Sequence, residues 1–261
     1  KGDWTRVGGK NKELVEKSMG TSFLVQNSEK KSFQINLKSP KGQKITQELI
    51  KKSHVFVENM TPGKVKKLGL GWKDISSINK SIVYCSISAF GQDGPFKNRG
   101  AYDHVVQAMS GIMTTTGTKE SGPTKVGAAY VDYSTGLNAA FAILAALHQV
   151  KQTKKSVRID VSMLDTSLLL MANMVTEHLN NGWIPTQMGN EAQSGSPSSG
   201  MFNTKTSPIL LAANNDNQFS SLSDALNTID TFDQKKWSSE AYRKNNQREL
   251  REEFQKRFIK K

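Results

Sequence analysis

The 261-residue sequence predicts an α/β protein built on a parallel sheet. Short apolar runs of strand character alternate with segments of helical periodicity, and repeated strand-helix-strand crossovers imply parallel strands covered by helices. A shift at Asn180 toward Asn, Gly, Ser and Pro then marks off a smaller unit.

Taken in order, residues 33–37 alternate apolar and polar side chains and read as a short strand. Ser39 and Pro40 supply an N-cap and a proline at the first helical position, and Ile45, Leu49 and Ile50 give the helix that follows its buried face. Residues 54–58 read as the next strand. Thr61-Pro62 opens a second short helix ending at Leu68-Gly69, where glycine suits a left-handed cap. A strand over residues 82–88, a turn-rich stretch over 91–95 and a helix over 103–113 continue the pattern. A further apolar run, 126–131, reads as a strand handing over at Asp132 to a helix that carries Leu137, Phe141, Leu144 and Leu147 on a core face, with alanines beside them. Val157, Ile159, Val161 and Met163 alternate with polar residues as a half-buried strand, and residues 168–179 read as a helix. Beyond a loop reaching Gly200 come a strand over 208–213 and helices over 216–226 and 245–258.

Composition removes several function classes. No apolar stretch approaches the roughly 20 residues that span a bilayer. The lone Cys85 sits in a strand-like run, forms no internal disulfide, and reads as a small packed apolar residue in a reducing cytoplasm. The net charge of +13 is spread over many segments instead of alternating with aromatics in one tract, so it suits a lysine-rich surface or a polyphosphorylated small ligand better than nucleic acid. The chain opens on Lys1 and closes on Lys261, and both ends read as cut from a longer protein.

Asp132 carries the most chemistry. A carboxylate at a helix start faces unpaired backbone N–H groups and the positive end of the dipole, which favour its ionised form by roughly 0.3–1 kcal/mol when exposed and up to ~2 when partly buried. It can cap the helix, or it can act as a nucleophile.

Six segments decide between these readings: residues 36–42 (NLKSPKG), 57–63 (VENMTPG), 68–72 (LGLGW), 86–95 (SISAFGQDGP), 102–111 (YDHVVQAMSG) and 160–165 (DVSMLD). Together, in this order, they resemble the family III CoA-transferases, whose superfamily also includes the α-methylacyl-CoA racemases. The resemblance implies that Asp132 is the catalytic aspartate, attacking a donor acyl-CoA to give an aspartyl anhydride and then an aspartyl-CoA thioester. It implies CoA contacts at Ile35 and Lys38 (adenine and ribose), Asn59 and Met60 (nucleotide), Lys67 (phosphates) and Tyr102 (pantetheine and thioester). It implies no metal and no tightly bound cofactor; coenzyme A enters as acyl-CoA substrate, and a small carboxylic acid is the acceptor. Racemases of the superfamily resemble Gly-His-Asp where this chain reads Ala101-Tyr102-Asp103, which favours acyl transfer. The family's glycine-rich loop corresponds to residues 194–200, where serines and Pro197 imply lower mobility.

The resulting expectation is a Rossmann-like CoA-binding domain over residues 1–164, a linker helix and loop over 165–200, and an incomplete smaller α+β domain over 201–261. The intact protein is expected to be a cytoplasmic, interlocked homodimer without nucleic-acid or membrane partners. Racemase-like proton transfer and, more remotely, nucleic-acid binding are the alternatives.

Overall fold

The structure, a computed structural model, describes residues 2–226, 237 and 239–261. The chain divides into two compact units, residues 1–51 and 52–261. Each is described by itself.

The first unit is helical. Asp3 caps a 3-10 turn at Trp4–Val7 by accepting from Thr5 N at 2.9 Å, and two short helices follow, Lys12–Glu16 (α1) and Thr21–Asn27 (α2). Pro40–Lys51 (α3) starts where Ser39-Pro40 predicts, with Ser39 Oγ accepting from Gly42 N at 3.1 Å. Residues 33–37 are not a strand: among the described residues no strand pairs with them, and Phe33 is exposed. Alternation shows which side chains could share a face, but a strand needs a neighbour's backbone to bond. On α3 only Ile50 of the three predicted apolar positions is buried, and Ile45 and Leu49 remain exposed.

In the second unit, Val55–Glu58 (β1), Val83–Ser88 (β2) and Val157–Ser162 (β3) form a parallel sheet in the order β1-β2-β3, with Val55 opposite Val83 and Val83 opposite Val157. β2 is central and almost wholly buried, whereas the edge strand β1 exposes Val57. Lys64–Lys67 (α4) and Trp72–Ile78 (α5) connect β1 to β2. α4 ends before Gly69, whose φ of +71° is the left-handed conformation that glycine adopts freely. Asp103–Ser110 (α6) and Tyr130–Thr153 (α7) connect β2 to β3. The predicted helix over 103–113 stops early because Gly111 turns to φ +86°, and a 3-10 turn, Ile112–Thr115, completes the span.

α7 lies on the sheet through Ala139, Ala146 and Val150, which pack with Val83, Cys85 and Val161. Each fully buried Val contributes roughly 1.5–3 kcal/mol. This reverses the predicted orientation. Leu137, Phe141 and Leu144 are exposed, and only Leu147 of the four packs against the sheet cluster. Small side chains let the helix approach the sheet closely, so the alanine face turns inward. Residues 126–131 form no strand either: α7 has already begun at Tyr130, and the backbone N–H groups of Val126 and Val131 bond to side chains of α6 instead of to a sheet neighbour. The helix predicted at 168–179 is in fact two, Met163–Leu170 (α8) and Ala172–Asn181 (α9), broken at Met171.

Beyond the loop, Ser199–Asn203 (β4) pairs antiparallel with Pro208–Ala212 (β5). β4 begins inside the segment predicted to be loop. Asp216–Ala225 (α10) and the helices Glu240–Asn245 and Gln247–Phe258 complete a smaller α+β assembly around Phe202, Trp237, Leu250, Phe254 and Phe258. The helix predicted to start at Asn245 therefore begins two residues later, after a short helix of its own. Of the expected unit 201–261, residues 227–236 and 238 lie outside the described residues. No helix of the described residues is long and apolar enough to cross a membrane.

Candidate active site

Carboxyl ends of parallel strands are where open α/β sheets receive ligands. Ala89, just past β2, and Met163, just past β3, pack with Val131 in one cluster, so the start of α7 sits over that edge. Asp132 is the third residue of α7 and is exposed.

The start of α7 is held from α6. Asp103 Oδ2 accepts from Val131 N at 2.7 Å and from Asp132 N at 3.2 Å, so a carboxylate from another helix satisfies two N–H groups that the first turn leaves unpaired. Asp103 Oδ1 accepts from Gln107 Nε2 at 2.5 Å, while Gln107 Oε1 accepts from Val126 N at 2.8 Å. Gln107 is fully buried. The segment leading to Asp132 is thus held at both ends by two side chains one helical turn apart.

Although Asp132 is exposed as a residue, its carboxyl is partly desolvated and is held above the ordinary carboxylate value, first by that desolvation and second by the negative charge of Asp103. The dipole alone pulls the other way. The expectation that its surroundings favour the ionised form is therefore corrected: the acid that orders the backbone also repels the neighbouring carboxylate.

Tyr102 is the N-cap residue of α6, immediately before Asp103, and stands exposed with its ring parallel to that of His104 at 6.3 Å. Tyr102 thus directly precedes in the chain the residue whose carboxylate accepts from Asp132 N. Asn59 and Met60 follow β1 at the same carboxyl edge of the sheet, both exposed. Their turn is fixed by the buried Glu58, whose Oε2 accepts from Met60 N at 2.9 Å. Lys67 is the exposed last residue of α4. Ile35 and Lys38 belong to the first unit: Ile35 is half-buried, and Lys38 is exposed on a turn in which its N–H donates to Asn36 Oδ1 at 3.0 Å.

Sequence reasoning passed over Asp103, Gln107 and Glu58. A signal for the first two was present, since Asp and Gln at i and i+4 share one helix face. Cys85 is buried, and its thiol is pushed up to about 11 by burial, then by the charges of Asp160 and Glu58, which removes it as a nucleophile. Among the described residues no cluster of three or more His, Cys, Asp or Glu is placed to hold a metal ion.

The serines of the 194–200 loop are tied down. Ser196 and Ser198 Oγ both donate to Ala213 O, at 2.8 and 2.7 Å, and Ser194 and Ser199 Oγ donate to Asn214 Oδ1 at 2.7 and 2.8 Å.

Comparison with known proteins gives one result throughout. The sequence family described as CoA-transferase family III matches residues 1–261. The chain is 36% identical over 257 residues to the succinyl-CoA:glutarate CoA-transferase of Homo sapiens, covering 98% of this chain and 58% of that protein. It is 34% identical over 226 residues to the acetyl-CoA:oxalate CoA-transferase of Acetobacter aceti, covering 86% of this chain and 57% of that protein. The crystal structure of a CaiB/BaiF family protein from Brucella suis superposes with a TM-score of 0.77 at 29% identity, over 89% of this chain and 61% of that one. The chain therefore spans somewhat more than half the length of these relatives.

Proposed function

Because this chain belongs to CoA-transferase family III, the family its six motif segments resemble, we propose that Asp132 is the nucleophile of a CoA transfer between an acyl-CoA donor and a small carboxylic acid. The single observation that carries this reading is the position of Asp132: exposed at the start of α7, over the carboxyl edge of the parallel sheet, on a backbone that neighbouring side chains hold in place.

In this reading an Asp132 carboxylate oxygen attacks the thioester carbonyl, the C–S bond breaks, and CoA leaves as thiolate. The thiolate then attacks the aspartyl carbonyl of the anhydride, releasing the donor acid and leaving CoA on Asp132. The acceptor carboxylate displaces CoA through a second anhydride, and the returning thiolate takes the acceptor acyl group and frees Asp132. Each covalent step replaces one difficult exchange with two easier ones. A carboxylate whose affinity for protons is raised is also a better nucleophile, provided the pH keeps it ionised.

Ile35, Lys38, Asn59, Met60, Lys67 and Tyr102 are proposed to receive CoA, with the lysines meeting phosphate as point charges. CoA enters as substrate, with no tightly bound cofactor. Dicarboxylates are the first acceptors to test, since the relatives above are named for glutarate and oxalate. Racemisation needs a second base free to exchange a proton, and the carboxylate beside Asp132 is occupied by Gln107, Val131 and Asp132 N–H donors. The cytoplasmic location, the interlocked homodimer and the division into domains at 164 and 200 belong to the same proposal.

The test follows CoA exchange by mass, with succinyl-CoA or acetyl-CoA as donor and glutarate or oxalate as acceptor. Exchange that Asp132→Ala abolishes supports the reading. Exchange that survives the substitution overturns it, as does solvent deuterium entering the α-carbon of a 2-methylacyl-CoA without any acceptor.

A further inference from the structure

Gln107 has a place in the fold that packing does not explain. A fully buried amide is costly unless its polar atoms are bonded, and a helix such as α6 would be packed more simply by Leu or Met. Gln107 instead spends its acceptor on Val126 N, 19 residues away at 2.8 Å, and a donor on Asp103 Oδ1 at 2.5 Å. Only one orientation of the amide works, because the oxygen must face the Val126 N–H and the nitrogen must face a carboxylate. Asp103 in turn presents its other oxygen to Val131 N and Asp132 N.

The geometry points to Gln107 as a positioning residue for the reaction: from inside α6 it fixes the rotamer of Asp103 and the entry of the 126–129 segment, and through these two it sets where the Asp132 side chain leaves α7. This inference rests on the reading of Asp132 as nucleophile and deepens it.

The chain of contacts has a mechanical consequence. The segment before α7 runs between two restraints, Val126 at one end and Val131 with Asp132 at the other, and both restraints pass through Gln107 or the carboxylate it holds. A Met at 107 fills similar volume but bonds neither. The segment would keep its packing through Val131, Ala89 and Met163, so CoA binding should survive, while the carboxylate wanders from the line of attack. A misplacement of ~1 Å at a reacting atom costs on the order of 10²-fold in rate.

The experiment compares Gln107→Met, Asp103→Ala and the double variant, each measured for kcat, KM for acyl-CoA and Tm. The expected result is a kcat about 10- to 100-fold down in Gln107→Met with KM changed by less than about twofold. Because one of the two restraints made by Gln107 runs through Asp103, adding Gln107→Met to Asp103→Ala should slow the enzyme by a smaller factor than Gln107→Met does alone. Penalties that multiply, a folded Gln107→Met with the unsubstituted kcat, or a change confined to KM overturns the inference. Should Gln107→Met fail to fold, Gln107→Asn takes its place: it keeps a buried amide but is one methylene too short to reach Val126 N and Asp103 Oδ1 together, so a lowered kcat supports the relay and an unchanged kcat overturns it. Asp132→Ala, run alongside, separates the two layers. Activity there overturns the nucleophile reading itself, whereas its loss beside an unaffected Gln107→Met overturns only the role of Gln107.

Discussion

Replacing Asp103 by Asn removes one charge and leaves the side chain nearly the same shape, so its effect can be worked from the contacts. Asp103 uses both oxygens as acceptors: Oδ1 for Gln107 Nε2, and Oδ2 for Val131 N and Asp132 N. Asn offers one oxygen and one N–H pair, and in either orientation a donor faces a donor. The better orientation keeps the two backbone bonds and gives up the Gln107 bond. Losing a hydrogen bond to a charged group costs about 1.5–3 kcal/mol. For a chain of this length that lowers Tm by roughly 3–12 °C, at about 2–4 °C per kcal/mol. The same change takes away the negative neighbour that contributes to the raised pKa of Asp132, leaving burial, the larger cause, in place. The nucleophile must be ionised, so kcat/KM falls on the acid side as Asp132 takes up its proton. With a raised value that limb lies at higher pH than an ordinary aspartate would give; Asp103→Asn moves it to lower pH without returning it fully to that of an ordinary aspartate. The assay is a pH profile of kcat/KM beside thermal unfolding. An acid limb that stays in place or moves upward, or a Tm that does not fall, would refute the reasoning.

Two further outcomes follow from buried contacts. The Cys85 thiol, pushed up to about 11 by burial, should resist thiol reagents at pH 8 in the folded protein and react fully in denaturant; rapid modification of the native chain would contradict its placement in the sheet core. Gly42→Ala would put a Cβ 2.0 Å from the backbone oxygen of Asn36, forcing the turn that carries Lys38 away from α3 at a cost of about 1–3 kcal/mol. The expected readout is a raised KM for acyl-CoA with kcat retained, and an unchanged KM would remove Lys38 from the proposed CoA contacts.

Much of the architecture was legible in the sequence because it rests on local chemistry. Ser39-Pro40 starts a helix by what its own atoms do, Gly69 ends one by its left-handed backbone, and the alternating valines and isoleucines of β3 needed only a sheet beside them. The misreadings share one cause. Residues 33–37 and 126–131 have the side chains of strands, but a strand is made by its neighbour, and in the second case the side chains of Gln107 and Asp103 hold the backbone instead. Periodicity on α7 likewise showed two faces, one of large and one of small residues, without showing which met the sheet. Asp132 could be located from the sequence; the charge facing it could not, because Asp103 lies 29 positions away and only the packing of α6 on α7 brings it close.

The most direct measurement of the central claim is to trap the covalent intermediate. The protein is given acyl-CoA and acceptor in the presence of hydroxylamine, digested, and its peptides are read by mass spectrometry. An activated aspartyl group is captured as a hydroxamate, and the account predicts this at Asp132, dependent on acyl-CoA and absent from Asp132→Ala. Turnover that leaves Asp132 unmodified while another carboxylate carries the label would contradict it.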